Sequence, residues 1–363
     1  MKIFSILSRY ISRSFFLNFG VVVLCLFTII VLFDFAELQR RAGSKNISFA
    51  LKLNMVLLRA PHFLEQVLPF LIFAAALFTF WKLNRSNELL VFRASGISIW
   101  RLILPLYFTA LMIGLVDLTA FNPLSSAMQA RFEKLEKRIF SKAHEEIKVS
   151  STGLWLSEKM GRNQAIYRAS KIDLNRLEFQ DLNIFIMSPQ NTFIERIDAK
   201  TAQIQGNKLE LEGGWETLAG KASVPFMRKS IVTSLDGEKI RNMKEGRDTF
   251  SFWQLPSYIV LLESSGLQSI KQKMYWHYLF SSAFWGAMMI LLAAAFSCRP
   301  HRQGKATLLI FIGVLSGFFL YFFKDVTFAL GSSGGLPPLI AAWLPPLLTF
   351  MVGAVLIFNQ EDG

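Results

Sequence analysis

A polar, charged stretch over residues 122–273 separates two groups of long apolar segments in this chain. Crossing a hydrocarbon core of ~30 Å takes about 20 largely apolar residues in helical form. Three such segments precede the polar stretch and three follow it. The sequence therefore predicts an α-helical membrane protein with six transmembrane helices, three on each side of one inserted extramembrane domain.

The predicted spans are runs that carry almost no Asp, Glu, His, Lys or Arg, with Asp117 and His277 as the exceptions. They cover residues 14–33, 66–81, 102–121, 274–298 and 306–323, and the last lies within 326–358. Composition agrees, because 52% hydrophobic residues and a mean hydropathy of +0.38 are too apolar for a soluble chain of 363 residues.

The Lys and Arg residues of the short loops predict the orientation of the spans. With the N-terminus inside, the cytoplasmic side holds Lys2, Arg9, Arg13, Lys82, Arg85, Arg93, Arg101, Arg299, Arg302 and Lys305. The outer side then holds Arg40, Arg41, Lys45 and Lys52. Both termini are therefore expected in the cytoplasm and the inserted domain outside. We attribute the net charge of +13 to anchoring at anionic lipid headgroups and expect no nucleic-acid partner.

The inserted domain changes its hydrophobic period along the chain. Residues 128–146 combine alternating charge with apolar residues at helical spacing, which predicts an exposed helix that continues the third span. Leu182, Ile184 and Ile186 then belong to a series of alternating runs, with a turn at 205–207, which predicts a β-sandwich or jelly roll. The predicted domains are 1–122 for spans one to three, 123–270 for the helix and β-jellyroll domain, and 271–363 for spans four to six.

No catalytic constellation is found in the sequence. Gly304 and Lys305 are followed by Ala306, where a phosphate-binding loop requires Ser or Thr. The four His are scattered, and Cys25 and Cys298 have no metal-ligand spacing and are expected to be packing residues. We therefore expect no metal site, no bound cofactor and no enzymatic activity, so any work must draw its energy from another protein.

The loop between the second and third spans, residues 84–100, is the candidate contact with such a protein. Ser86 is expected to cap a short helix and Gly96 to end it, while Leu89, Leu90 and Phe92 give the helix an apolar side. One interpretation is a coupling helix held by an ATPase subunit. The other is an interfacial helix that lies on the bilayer, with Glu88 favourable near the helix N-terminus.

Five sequence stretches carry a resemblance that covers nearly the whole chain. They are FDFAELQRRAG at 33–43, NELLVFRASG at 87–96, NP at 122–123, GLW at 153–155 and GGLPP at 334–338, the last shortly before WLP at 343–345. Each stretch alone is weak, but their order and spacing are specific. Together they resemble the LptF/LptG family of lipopolysaccharide export permeases (the YjgP/YjgQ type), and its LptG branch most.

The resemblance implies a half-transporter of the bacterial inner membrane, with its inserted β-jellyroll in the periplasm. Members of this family pair as LptF-like and LptG-like permeases on a dimeric LptB-like ATPase, which binds ATP and Mg. They extract lipopolysaccharide from the membrane and pass it to LptC-like and LptA-like jelly-roll proteins. This chain would itself bind no cofactor.

The resemblance also suggests roles for individual residues. Substrate binding is expected of the basic residues near the outer mouth and of aromatic residues in the spans: Arg40, Arg41, Arg131, Lys134, Lys324, Phe27, Phe318 and Phe319, with Phe15 and Phe16 as further cavity-lining candidates. Each basic residue has the alternative role of a headgroup anchor. ATPase coupling is expected of Glu88, Leu89, Phe92, Arg93 and Gly96.

Asp34 and Lys324 are the predicted lateral-gate residues, because charges at such depth are costly unless they are paired or face a wet cavity. We expect each to meet a charge on the partner permease, although Lys324 has two simpler options, pairing with Asp325 or snorkelling to the headgroups. Asp34 departs from the family, since LptG proteins often carry a basic residue there. This departure argues against a phosphate contact at position 34.

Two other functions remain compatible with the sequence. A permease of the same architecture could move a different lipid or a lipoprotein. A non-transporting membrane scaffold or sensor would need no ATPase at all.

Overall fold

The computed structural model describes residues 2–43, 47–140, 146–150, 153–160, 163–173, 177–188, 192–205, 208–233, 249–264, 268–298 and 306–361. The predicted turn at 206–207 and five residues named above lie outside the described residues: Lys45, Arg299, Arg302, Gly304 and Lys305. The chain divides into two compact units. The helical unit comprises 1–135, 248–253 and 270–363, and the β unit comprises 136–247 and 254–269.

The structure contains nine α-helices within the described residues, and most of them are long and belong to the helical unit. They are α1 (Lys2–Ala42), α2 (Phe49–Arg85), α3 (Glu88–Ala94), α4 (Ile99–Val116), α5 (Asn122–Phe140), then, after the short α6 (Leu255–Ser264) of the β unit, α7 (Ile270–Ser297), α8 (Ala306–Ser332) and α9 (Pro338–Glu361). A π-helical segment, Asp117–Phe121, joins α4 to α5. Six helical stretches are long and apolar enough to cross a membrane, which confirms the six predicted spans.

Helix α7 occupies the centre of the helical unit, and small residues let its neighbours approach. A side chain at Gly286 would meet Ile72 of α2, and one at Gly114 of α4 would overlap the backbone of Ala283. Close approach of backbones is the usual basis of helix packing in membranes, where lipid tails are as apolar as the side chains they replace. Trp285, Ile290 and Ala294 are buried in the resulting core.

Side-chain hydrogen bonds join the helices at several levels. Trp285 Nε1 donates to Thr349 Oγ1 of α9 at 3.0 Å. At the C-terminal end of α7, Asn84 Nδ2 of α2 donates to the Ser297 carbonyl at 3.0 Å, and Gln360 Nε2 of α9 donates to the Ala295 carbonyl at 2.7 Å. The last carbonyls of a helix have no partner within it, so these amides satisfy groups that would otherwise be costly in an apolar surrounding.

The β unit is one antiparallel sheet of eight strands, which confirms the predicted inserted β domain. The strands are β1 (Glu146–Ser150), β2 (Gly153–Met160), β3 (Asn163–Ala169), β4 (Lys171–Asp173), β5 (Glu178–Met187), β6 (Phe193–Gln205), β7 (Lys208–Leu218) and β8 (Val224–Val232). Their order is β1-β2-β3-β5-β6-β7-β8, with β4 paired to β5. Because the chain runs mostly from each strand to its neighbour, short connections suffice.

The alternation read from the sequence sets which side chains the sheet buries. Leu182, Ile184 and Ile186 of β5 are buried, and so are Leu209 and Leu211 of β7. Successive residues of a strand point to opposite faces, so these residues share one covered face. One boundary was wrong: the helix predicted to reach residue 146 ends at Phe140, and Glu146 opens β1, where it pairs with Ser157.

Candidate substrate cavity and coupling helix

A cavity of about 790 Å³ opens between α1, α2 and Tyr321 of α8. Most of its wall is apolar, but four charged residues share it, and the described lining residues are Leu26, Ile30, Phe33, Asp34, Ala36, Glu37, Arg40, Arg59, Phe63, Gln66, Val67 and Tyr321. An apolar wall beside a few charged groups is the usual make-up of a site for an amphiphilic ligand.

The charges of the cavity form two ion pairs. Arg59 Nη1 donates to Asp34 Oδ1 at 2.9 Å, and the Asp34 side chain is only 10% exposed. The Arg59 guanidinium also lies 4.6 Å from the Phe63 ring centre, a cation–π contact. Arg40 Nη2 donates to Glu37 Oε2 at 2.7 Å one helical turn away on α1. An anionic ligand at either arginine would therefore compete with a carboxylate of the same chain.

The pairing of Asp34 differs from the sequence-based expectation. We expected a charge on a partner permease, whereas the structure supplies Arg59 of its own α2. Arg59 is the functional candidate that the sequence analysis missed. The available clue was the acid at a position where relatives often carry a base, since a buried acid calls for a cation nearby.

The predicted basic residues are placed at different sites. Arg40 lines the cavity, and Arg41 is exposed in the last turn of α1. Arg131 and Lys134 are exposed on α5, three residues apart, and Phe132 between them is buried with its ring centre 5.2 Å from the Arg59 guanidinium. Arg41, Arg131 and Lys134 are not among the described lining residues, so their role in binding stays a prediction.

The predicted aromatic residues also separate into two groups. Phe27 is half-buried on α1, and Phe318 and Phe319 are 56% and 63% exposed on α8. The Phe318 ring centre lies 5.0 Å from that of Phe70. Phe15, named as a cavity-lining candidate, is fully buried in the core, so that interpretation was wrong, while Phe16 is 60% exposed. Which face of α1 turns inward depends on packing that composition does not reveal.

Lys324 takes one of the simpler options considered for it. Its Nζ lies 2.8 Å from Asp325 Oδ1, and its side chain is 9% exposed. The same ammonium lies 4.0 Å from the Tyr321 ring centre and 5.5 Å from that of Tyr278. As a gate residue, Lys324 would first have to leave these contacts.

Helix α3 realises the predicted short helix in the 84–100 loop. Leu89 is 3% exposed and belongs to the core, and Phe92 packs against the same core, so both residues anchor the helix. Leu90 and Val91 are 62% and 60% exposed. Leu89 is therefore too buried to contact an ATPase directly, and Leu90 and Val91 form the available apolar surface. Arg93, in the last turn, is half-buried.

The ends of α3 are set by left-handed residues. Asn87 precedes the helix with φ +59°, and Gly96 follows it with φ +77°, a conformation that suits glycine. Ser86, expected as the N-cap, is instead the C-cap of α2, where its backbone N–H donates to the Lys82 carbonyl at 3.0 Å. The sequence placed the cap one residue too early, because α2 runs almost directly into α3.

Glu88 is held by neighbours of the same chain. Its Oε2 accepts a hydrogen bond from the Tyr10 hydroxyl of α1 at 3.0 Å, and its Oε1 accepts one from Ser86 Oγ at 2.8 Å. The carboxylate is thereby oriented while the residue stays partly exposed. Within the described residues, no group of three or more His, Cys, Asp or Glu is placed to hold a metal ion.

The similarity to known proteins covers nearly the whole chain. The family model described as lipopolysaccharide export system permease LptF/LptG matches residues 9–359. The lipopolysaccharide export system permease protein LptG of Escherichia coli (strain K12) is 23% identical over 375 residues, covering 99% of this chain and all of the relative. The LptG protein of Escherichia coli O6:H1 (strain CFT073) gives the same values. The similarity therefore includes both apolar halves and the β insert.

Proposed function

This chain belongs to the LptF/LptG family of lipopolysaccharide export permeases, and from that premise we propose that it is the LptG-like half of an ABC-type exporter. The six apolar helices and the family make it a multi-pass protein of the inner membrane. In the proposed arrangement, both termini are cytoplasmic and the β unit lies in the periplasm. The complex would extract lipopolysaccharide from the inner membrane and pass it to a periplasmic bridge.

The observation that supports this function most is the cavity between α1, α2 and Tyr321. Lipopolysaccharide combines anionic phosphates with several acyl chains. The apolar wall suits the acyl chains, and Arg40 and Arg59 suit a phosphate. Charge-assisted hydrogen bonds are commonly worth ~1.5–3 kcal/mol each, so bonds from phosphate to the two arginines would offset the loss of their bonds to Asp34 and Glu37.

The proposed partners are those of the family, and the exposed surfaces of this chain suit them. An LptF-like permease would cover the apolar side chains of α1 and α8, such as Leu24 and Phe319. An LptB-like ATPase dimer would receive α3, and ATP and Mg would bind to that dimer. LptC-like and LptA-like jelly rolls would pair with the β unit, where β8 ends the described sheet and exposes Met227.

Copurification with bound-lipid analysis tests the proposal. The chain is coexpressed with the proposed LptF-like permease and LptB-like ATPase. The complex is extracted in mild detergent and assayed for bound phosphate and fatty acids. We expect lipopolysaccharide and a nucleotide-binding subunit in the purified complex. Recovery of a different lipid or a lipoprotein would support the alternative permease, and the lack of any ATPase would support a scaffold.

Photocrosslinking locates the substrate along the chain. A photoreactive residue at position 131 or 134 is expected to trap lipopolysaccharide, whereas the same residue at exposed Arg101 at the start of α4 serves as the control. Equal yields of phospholipid adducts at all three positions, with no lipopolysaccharide, would assign Arg131 and Lys134 to headgroup anchoring.

A further inference from the structure

A second cavity, of about 210 Å³, lies between α1, α2 and the segment that joins α4 to α5. Its described lining is apolar, with Phe19, Leu68 and Ile113 as examples, except for two carboxyl groups. These belong to Glu65 and Asp117, which are 7% and 8% exposed. Ionisable groups inside a membrane helix are expensive and mark functional sites by default.

The two carboxyl groups have different surroundings. Asn122 Nδ2 donates a hydrogen bond to Glu65 Oε1 at 2.5 Å, and Asn122 Oδ1 accepts one from the Phe252 backbone N–H at 2.7 Å. Asp117 lines the cavity but receives no hydrogen bond or ion pair from any residue that the structure describes. The carboxyl group of Glu65, which can carry a like charge, lines the same cavity.

The other ionisable groups near the pair do not supply a counter-charge to Asp117. On α2, His62 Nε2 lies 2.8 Å from the Gln66 amide nitrogen, and His62 is not among the described residues that line the cavity. On α7, buried Tyr278 is a neutral phenol and carries no positive charge. From α1 only Phe19 and Val23 are among the described lining residues, and these include no Lys or Arg.

We propose that Glu65 and Asp117 form a proton-binding site, in which Asp117 carries the proton and Glu65 the negative charge. Two carboxylates that share a buried, mostly apolar site cannot both ionise at low cost. The amide hydrogen bond from Asn122 favours the ionised form of Glu65, which leaves the proton to Asp117. A metal ion fits less well, because Mg²⁺ and Ca²⁺ take about six or more oxygen ligands and the cavity offers two carboxyl groups.

The position of Asp117 couples this proton to the backbone. Asp117 opens the π-helical segment Asp117–Phe121, and Asn122 opens α5 directly after it. Single π-helical turns within α-helices often occur at functional sites. Loss of the proton places a second negative charge beside Glu65 at this joint, and the repulsion is relieved by admitting water or by moving α4 relative to α2. The site thus links proton release to a change of shape, whichever lipid the protein carries.

Infrared spectroscopy of the purified permease complex in lipid nanodiscs tests the site. The parent should show the carbonyl band of a protonated carboxylic acid near neutral pH, and this band should disappear in Asp117→Asn. Glu210→Gln on β7, which removes an exposed carboxyl group, is the matched control and should leave the band unchanged. Raising the pH should remove the band in the parent.

Glu65→Gln keeps Asp117 and removes the neighbouring negative charge. Ionisation of Asp117 is then no longer opposed by repulsion, so the carbonyl band should be lost at lower pH than in the parent. Absence of the band in the parent near neutral pH, or its survival in Asp117→Asn, would overturn the proposal. If Asp117→Asn fails to assemble, an unshifted titration in Glu65→Gln decides against the shared site.

Discussion

Helices α1 and α7 are both apolar enough to cross a membrane, yet their surroundings differ sharply. In the most apolar part of α7, 78% of the residues are buried within the chain, against 11% in α1. Helix α7 carries small residues at its contacts, including Ala283, Gly286 and Ala294. Helix α1 turns large residues outward, including Leu17 and Leu24. Hydrophobicity alone therefore does not distinguish a helix that packs inside its own chain from one that presents a surface to lipid or to another protein.

The largest effect is expected from truncating a core residue of α7. Trp285→Ala removes a side chain that is 2% exposed and its hydrogen bond to Thr349, so we expect a loss of ~3–5 kcal/mol. Leu24→Ala on α1, where the side chain is 66% exposed, should cost less than about 0.5 kcal/mol in the isolated chain. Thermal unfolding of both variants in the same detergent measures the difference. Equal losses would remove the contrast between the two helices.

An intermediate effect is expected at the ion pair that joins α1 to α2. Arg59→Ala removes the cation that pairs with Asp34, whose side chain is only 10% exposed, and this loss should cost about 1–3 kcal/mol. Retention of lipopolysaccharide should fall at least tenfold as well, measured as bound phosphate after purification. The exchange Asp34→Arg with Arg59→Asp restores the pair and should recover stability. If Arg59→Ala matches the parent in both measurements, the pair neither holds α1 nor binds substrate.

A smaller effect on folding and a larger effect on ATPase coupling are expected where Tyr10 of α1 contacts Glu88 of α3. If α3 docks on the proposed ATPase subunit through Glu88, Glu88→Lys should uncouple ATP hydrolysis from export, because it reverses the charge that α3 presents there. Tyr10→Phe removes only the hydrogen bond from α1 to Glu88 and keeps the carboxylate, so it should retain coupling. ATPase and export assays of the reconstituted complex separate the two. Uncoupling by Tyr10→Phe to the same degree would show that Glu88 acts through α1 and not through docking.

The smallest effect is expected in the β unit, away from both helices in sequence. Lys229 Nζ lies 2.6 Å from Glu216 Oε2 and 3.3 Å from Glu195 Oε1. The hydrogen bond from Lys229 lowers the pKa of Glu216; burial lowers the pKa of Lys229, but its bonds to both glutamates outweigh this and raise it. The cluster should therefore stabilise the fold at neutral pH and lose effect as acid protonates Glu216 or as strong alkali deprotonates Lys229.

Because these groups are partly exposed, Lys229→Met should cost only ~0.2–1 kcal/mol at neutral pH. The cost should shrink in acid below the ordinary range of glutamate, since the parent then loses the same interaction. Unfolding of the full chain across pH provides the measurement. A cost that grows toward acid would have the wrong sign and would exclude the ion pairs as its source.

Much of the fold was predictable because its determinants are local. The six spans follow from runs of apolar residues, and the buried face of β5 follows from the alternation at Leu182, Ile184 and Ile186. The start of β1 at Glu146 was harder to predict, because charged residues such as Glu146 and Lys148 occur equally well in exposed helices and in edge strands.

The site was only partly predictable, because its geometry depends on residues distant in sequence. Arg59 meets Asp34 across 25 positions, and no local pattern marks that contact. Phe15 and Phe16 are adjacent and chemically identical, yet one is buried and the other exposed, since the packing of α1 against its neighbours decides the rotation of the helix. Leu89 and Leu90 on α3 differ in the same way.

The two amides that close the end of α7 limit how an exporter of this kind can move. Sliding α2 or α9 along α7 would detach Asn84 from Ser297 or Gln360 from Ala295 and break the hydrogen bonds that satisfy the last carbonyl groups of α7. Helices α2, α7 and α9 are thus expected to move as one rigid body. Helix α3 follows α2 after two residues. If the proposed ATPase subunit moves α3, we expect α2, α7 and α9 to tilt together, and a gap to open between these helices and α1.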